Sequence, residues 1–233
     1  MKVALLQCDN VLEKFQSEFG NYPAMVQSMF DGVDEALEFE TFDCQQGQYP
    51  QDIHAYDFYI TTGSKASAYD DLDWVRQLIA FVQQLDSHRK KLIGICFGHQ
   101  IIALARGGVV EKAAGGWGIG IARNEIVNEP PWMKQSPAEL NILVSHQDQV
   151  LQLDGETKII AKSDFCPFFV VQWGQHFLSI QGHPEWKNAY SRTLMNDRRA
   201  IIPAECIESG MASLDKQPDN ALFVGWIMDF VKH

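Results

Sequence analysis

The first half of the chain alternates short apolar runs with segments of helical periodicity. Runs suited to buried strands occupy residues 3–8, 37–42, 58–61 and 92–95. Apolar side chains recur at helical spacing in residues 22–30, 72–85 and 101–106. Strands that alternate with amphipathic helices are typical of a parallel sheet covered on both faces. We therefore expect an α/β fold, with Asp70 or Asp71 capping the helix over 72–85.

Glycine-punctuated strands dominate the second half, which predicts mixed or antiparallel pairing there. These strands are expected at 109–112, 119–127, 142–144, 158–161, 168–171 and 177–180. Helical spacing returns at 187–199 and 221–231. The less regular segment 201–219 fits a lid, an appended helix or an ordinary surface loop. No composition break or repeat marks a second domain, so we expect one domain over 1–233.

Composition restricts the partners and the compartment. The chain has 233 residues, 46% of them hydrophobic, which is enough to bury a full core. A formal net charge of -11 repels phosphate backbones and anionic lipid, so neither nucleic acid nor a membrane is an expected partner. Five cysteines, widely spread and without metal-type spacing, favour a reducing cytoplasm and no metal site. Four of these, Cys8, Cys44, Cys166 and Cys206, are predicted to be packing residues.

The remaining cysteine has the setting of a nucleophile. Cys96 stands between Gly94 and Gly98, where an apolar strand ends and a helical pattern begins. A side chain on a sharp strand-to-helix turn needs small neighbours, because the turn crowds any Cβ nearby. The N-terminus of the helix supplies free N–H groups and a positive dipole end, which lower the pKa of a thiol. The N–H of Phe97, the residue after the nucleophile, is placed to stabilise an oxyanion.

A base and an orienting acid follow the last predicted strand. In the run Gln-Gly-His183-Pro-Glu185, the imidazole of His183 can take the thiol proton of Cys96. The carboxylate of Glu185 can orient that imidazole and stabilise its charged form. The glycine-flanked cysteine and the later His-Pro-Glu run together favour a catalytic thiol over an inert buried one.

These motifs resemble the class I glutamine amidotransferases in order and spacing. The resemblance covers most of the chain, from the first strand through Thr61-Thr-Gly63-Ser, the elbow at Cys96, the run 145–150 and Gly-His183-Pro-Glu185. It implies a flavodoxin-like three-layer sandwich, with a mostly parallel central sheet between helices and a smaller mixed or antiparallel sheet. It also implies attack of Cys96 on a γ-glutamyl carbonyl to give a thioester, with His183 as base and Glu185 as orienting acid.

The resemblance extends to the groups around the nucleophile. A second oxyanion donor is expected near Gly63, although Lys65 and Ala66 stand where relatives carry a glycine pair and a proline. Contacts to the glutamyl group are implied for four side chains or their backbones: Gln100, Ser145, His146 and Gln147. Asp148 either caps a loop or faces the substrate ammonium. His99 is expected to hold the loop by hydrogen bonds.

Three functions remain open at the level of the sequence. No phosphate-cradling loop or dinucleotide fingerprint is present, so we expect no cofactor and no acceptor domain within the chain. The protein is then either a stand-alone γ-glutamyl hydrolase resembling the γ-glutamyl peptidases, or a glutaminase subunit that delivers ammonia to a separate synthase. A non-catalytic binding module is the third reading, and the presence of Cys96, His183 and Glu185 disfavours it. The segment 201–219 favours the stand-alone hydrolase.

Overall fold

The computed structural model describes residues 1–33 and 36–233, and its central feature is a nine-stranded sheet. Apolar runs that alternate with turns produce eleven strands in the described chain. In chain order these strands are β1 Lys2–Gln7, β2 Glu38–Asp43, β3 Phe58–Thr61, β4 Lys91–Ile95, β5 Val109–Lys112, β6 Gly118–Ile126, β7 Glu139–His146, β8 Asp148–Gln152, β9 Thr157–Lys162, β10 Val170–Trp173 and β11 Phe177–Ile180.

The sheet is parallel in one part and antiparallel in the other. Its order is β2-β1-β3-β4-β11-β10-β9-β6-β7, and the first five strands run parallel. From β11 onward each neighbour pairs antiparallel. Strands β5 and β8 form a separate antiparallel ribbon. The expected α/β fold with a smaller antiparallel sheet is therefore confirmed, and the antiparallel strands of the second half extend the main sheet.

Helices cover both faces of this sheet, as the apolar spacing predicted. The seven in the described chain are α1 Glu13–Phe19, α2 Tyr22–Met29, α3 Asp73–Ser87, α4 Phe97–Ala105, α5 Asn188–Asp197, α6 Ala204–Ser213 and α7 Asn220–Lys232. On β1, Val3 and Leu5 pack in the cluster that contains α7, whereas Ala4 and Leu6 pack in the cluster that contains α3 and α4. The two-residue period of a strand thus divides one apolar run between two core layers.

The predicted cap of α3 is wrong. The helix begins at Asp73, and its capping residue Leu72 makes no side-chain hydrogen bond to it. The Asp70 carboxylate instead accepts from the backbone N–H of Ser67 at 2.9 Å, while Asp71 pairs with Arg76. Both carboxylates therefore have local partners that a helix-start pattern does not reveal.

Two polar segments contain more regular secondary structure than their sequences indicate. Within 201–219 the chain forms helix α6, so the appended helix is the correct alternative, and its Ser213 hydroxyl accepts from the N–H of Ile121 at 2.8 Å. The polar run 145–148 does not follow a strand, because Ser145 and His146 end β7 and Asp148 begins β8. Backbone pairing with β6 and β5 holds these polar residues in strands. Helix α1 was not predicted.

In the described chain, none of the helices has the length and apolar content needed to span a bilayer.

Replacing Gly98 or Gly225 by alanine is expected to change the stability of the protein in opposite directions. A Cβ at Gly98 would overlap the hydroxyl of buried Thr61, which also accepts from the N–H of Ile95. We expect Gly98→Ala to lower the free energy of unfolding by about 2 kcal/mol or more. Gly225 lies on the exposed face of α7 with open space at its Cβ position, so Gly225→Ala is expected to raise it by about 0.5–1 kcal/mol. Urea denaturation measures both, and equal midpoints for the two variants would contradict the packing argument.

Candidate active site

The chain makes a strained turn at Cys96, between β4 and α4. Its φ of 49° and ψ of -96° place a non-glycine residue in left-handed space. Such a conformation costs on the order of 1–3 kcal/mol and persists only where the surroundings enforce it. Here the backbone N–H of Cys96 donates to the carbonyl of Ile180 at 2.8 Å, which fixes the turn to the end of β11.

Glycines on both sides make room for this turn, as expected. A Cβ at Gly94 would lie 2.6 Å from Ile102 Cδ1 and 2.9 Å from the carbonyl oxygen of Gly98. Because α4 starts at Phe97, the N–H groups of its first turn have no partner within the helix. The Cys96 side chain therefore stands at the positive end of a helix, beside free backbone donors.

His183 and Glu185 form a buried pair opposite the thiol. Nδ1 of His183 lies 2.8 Å from Oε1 of Glu185, and both side chains are almost fully enclosed. The indole of Trp186 stacks on the imidazole, with ring centroids 3.6 Å apart and planes within 7°. The backbone N–H of His183 donates to the carbonyl of Leu143 at 2.8 Å. The imidazole plane is thus fixed by a hydrogen bond at one edge and an aromatic ring on one face.

The buried rings of His183, His99 and His146 have very different pKa values. Burial alone would lower the pKa of His183, but the nearby Cys96 sulfur and Glu185 carboxylate raise it to about 10. Burial lowers the pKa of His99 to about 3, and that of His146 to about 4. At neutral pH, His183 is therefore the cationic member of this group, and a cation beside sulfur stabilises a thiolate.

Gly63 lies against both the His183 ring and Cys96. A Cβ there would stand 2.8 Å from Cε1 of His183 and 3.7 Å from Cβ of Cys96. Gly63 therefore lies just beyond the carboxyl end of β3, beside Cys96 and His183. A backbone without a side chain is the only kind that fits between the two groups.

A pocket of about 350 Å³ opens at the thiol. Of the residues predicted to contact a glutamyl group, Gln100, Ser145, His146 and Gln147 all line it together with Cys96 and Phe97. Other contributors are Ser64, Lys65, Ala66, Ser67, Lys112, Trp117, Asp148, Arg198 and Ile201. His183 and Glu185 are not among the lining residues, so the pocket presents the Cys96 thiol together with polar side chains.

Several polar side chains in this region already have protein partners. Nε2 of Gln100 donates to the carbonyl of Asp148 at 2.8 Å, so this amide braces the pocket wall. The Asp148 carboxylate accepts from the hydroxyls of Ser67 and Tyr69, which agrees with the loop-holding alternative. His99 Nδ1 lies 2.8 Å from the hydroxyl of Ser179 in β11, so this hydrogen bond joins a strand rather than the expected loop, and the ring is fully buried.

Two residues near the thiol were missed from the sequence. Arg198, which caps the end of α5, lines the pocket and donates through Nη1 to the Ser145 hydroxyl at 2.8 Å. Gln181 follows β11, and its Nε2 lies 3.5 Å from Cys96 Sγ. A basic residue at a helix end suggests only a dipole contact, which concealed Arg198. The signal for Gln181 was its place in a polar run after an apolar strand.

Within residues 1–33 and 36–233, no group of three or more His, Cys, Asp or Glu is placed to hold a metal ion.

Comparison with known proteins identifies the family. The model described as "Glutamine amidotransferase class-I" matches residues 42–200, more than half of the chain. The chain belongs to this family. Among its relatives, gamma-glutamyl peptidase 3 of Arabidopsis thaliana is 30% identical to this chain over 239 residues, which cover 98% of this chain and 94% of that protein. The GMP synthase (glutamine-hydrolysing) of Aeropyrum pernix is 27% identical over 144 residues, 58% of this chain and 28% of that one.

A solved structure gives the same fold. The crystal structure of a glutamine amidotransferase from Thermotoga maritima superposes with a TM-score of 0.76 and covers 99% of each chain at 17% identity. At that identity the likeness concerns the fold, which is that of the class-I glutamine amidotransferases.

The separated pKa values predict a distinct titration for each histidine. In wild-type protein we expect His183 to stay cationic up to about pH 10, while His146 and His99 stay neutral down to about pH 4 and pH 3. Glu185→Gln replaces the carboxylate beside His183 by a neutral amide, so the titration midpoint of His183 should fall by about one pH unit or more. NMR titration of the Cε1–H signals, assigned with His183→Gln, measures these values. A His183 midpoint near 6.5 in wild-type protein would contradict the ion pair.

Proposed function

We propose that this member of the class-I glutamine amidotransferases is a stand-alone hydrolase of γ-glutamyl amides. The observation that carries the proposal is the placement of the Cys96 thiol, at a strained elbow in a polar pocket, against the buried His183–Glu185 pair. The similarity to a gamma-glutamyl peptidase over nearly the whole of both chains supports a γ-glutamyl substrate.

The proposed reaction proceeds in two acyl transfers. The Cys96 thiolate attacks the γ-carbonyl carbon, a C–S bond forms, and the carbonyl electron pair moves to oxygen. Collapse of this intermediate breaks the C–N bond, and the departing amine takes a proton from the His183 imidazolium. Neutral His183 then accepts a proton from water as it attacks the thioester, and the C–S bond breaks. Glutamate is released, and the thiolate–imidazolium pair is restored.

Charge on the carbonyl oxygen requires backbone donors near the sulfur. The N–H of Phe97 is one, since it opens α4 directly after the nucleophile. Gly63 is proposed as the second because its backbone lies beside both Cys96 and His183. Removing one such donor typically lowers kcat by a factor on the order of 10²–10³, so these two N–H groups are expected to contribute much of the rate acceleration.

The walls of the pocket match the two charges of a glutamyl group. Arg198, held by the Ser145 hydroxyl, presents a guanidinium to a substrate carboxylate. Nδ1 of His146 donates to the Asp148 carbonyl, so its buried Nε2 bears a lone pair, for which the described residues provide no donor. That buried atom is out of reach of a substrate, so the Asp148 carboxylate, whose residue also lines the pocket, is proposed to face the substrate ammonium.

A glutaminase that supplies ammonia to a separate synthase is the second candidate. The match to the GMP synthase of Aeropyrum pernix favours it, because that match covers only 28% of the longer protein. The two functions differ in the group that leaves the γ-carbonyl. A hydrolase accepts an amino acid or amine as the leaving group, whereas a synthase subunit is expected to favour glutamine and to need its partner for full activity.

Glutamate release by the purified chain separates these functions. We expect rapid release from γ-glutamyl dipeptides or γ-glutamyl amines, slower release from glutamine, and an acyl adduct on Cys96 in intact mass spectra. Cys96→Ala should keep the fold and lose turnover by several orders of magnitude, because no other group replaces the nucleophile. Cys206→Ala is the control, since it removes a thiol from α6 that lies outside the catalytic pocket. Turnover of glutamine alone would favour the synthase subunit, and an active Cys96→Ala protein would refute the thioester.

Arg198 should govern substrate binding. Because a charge-assisted hydrogen bond is lost, Arg198→Gln is expected to raise KM by about tenfold with kcat changed little. Arg199→Gln is the matched control, since the Arg199 side chain bonds Asn196 and does not line the pocket. Steady-state kinetics with one γ-glutamyl dipeptide measures both variants, and equal KM values would exclude a carboxylate contact at Arg198.

A further inference from the structure

Gln181 is buried directly beside the nucleophile. It follows β11 and precedes the Gly-His183 run, its side chain is fully enclosed, and its Nε2 lies 3.5 Å from Cys96 Sγ. The backbone N–H of Gln181 donates to the Phe169 carbonyl at 2.8 Å, which fixes the origin of the side chain. The sulfur therefore has a second polar neighbour besides the imidazole.

A chain of hydrogen bonds determines which end of this amide faces the sulfur. A backbone carbonyl can only accept, so the group of Gln100 that lies 2.8 Å from the Asp148 carbonyl must be its NH₂. The same NH₂ group lies 3.2 Å from one end of the Gln181 side-chain amide. That end must be the acceptor, so it is the oxygen Oε1. The remaining end of Gln181, toward Cys96, is the NH₂ group. The Asp148 carbonyl thus sets the orientation of two amides in series.

We propose that Gln181 donates a hydrogen bond to the Cys96 thiolate and holds the sulfur in its attacking position, with Gln100 as the positioning residue that orients Gln181. The proposal rests on the proposed function only in treating Cys96 as the nucleophile. An N–H donor stabilises an anion more than it stabilises the neutral thiol. The sulfur then lies between a cation, His183, and a neutral donor, Gln181.

The pH dependence of Cys96 alkylation tests this contact without any substrate. In Gln181→Met an apolar side chain of similar length replaces the donor, so thiolate formation should move to higher pH. We expect the rate of iodoacetamide alkylation, measured on the acidic side of the wild-type midpoint, to fall about tenfold. Peptide mass spectrometry assigns the label to Cys96, because four other thiols are present. An alkylation profile that coincides with that of the wild type would overturn the proposal.

Two further variants separate this role from loss of a buried amide. Gln172→Met removes a buried glutamine of β10 that bonds Trp132 and Gly174, so it should lower stability and leave the alkylation profile unchanged. Gln100→Met frees Gln181 to rotate and should slow alkylation about threefold, in the same direction. If Gln181→Met does not fold, an unchanged profile in Gln100→Met overturns the proposal. An equal shift in Gln172→Met would also overturn it. Alkylation is independent of glutamate release, so a failure of the proposed function is detected separately.

Discussion

The left-handed backbone of Cys96 is the constraint on which the site depends. Residues other than glycine avoid this region, and the chain adopts it because the neighbouring strands leave no alternative. The N–H of Cys96 is bonded to the end of β11, and that of Ile95 to the Thr61 hydroxyl at the end of β3. Since β3 and β11 flank β4 on either side, their ends also deliver Gly63 and His183 to the same edge. The parallel order of three strands therefore assembles the site.

Neighbouring charge, rather than burial, decides which histidine is a cation. Burial disfavours the charged form of His183, His146 and His99 alike. Only His183 faces a carboxylate and a sulfur at close range, and their combined attraction exceeds the cost of desolvation. His146 instead donates to a backbone carbonyl and stays neutral. Of these three rings, His183 alone is therefore the cation, and it lies beside the Cys96 sulfur.

Ten of the eleven described strands, the main helices and the elbow could be predicted from the sequence because each depends on local signals, whereas β8 was not predicted. Strand β1 is a continuous apolar run, and the glycines around Cys96 reflect sterics within one turn. The contact of Arg198 with Ser145 could not be predicted, because it joins helix α5 to strand β7 through tertiary packing. The orientation of Gln181 could not be predicted either, because it depends, through Gln100, on the carbonyl of Asp148 in β8. The predicted strand 142–144 is also too short, because backbone pairing with β6 continues β7 through the polar Ser145 and His146.

The confinement of His183 has a kinetic consequence. Trp186 covers one face of its ring, Glu185 holds one edge, and the Gly63 backbone packs so close to Cε1 that an added Cβ would lie 2.8 Å from it. The imidazole cannot swing between two positions, so in the proposed reaction one ring atom must serve both the departing amine and the incoming water. The two molecules then occupy the same place in turn. The amine must leave before water can enter, which makes the order of product release a result of packing around one ring.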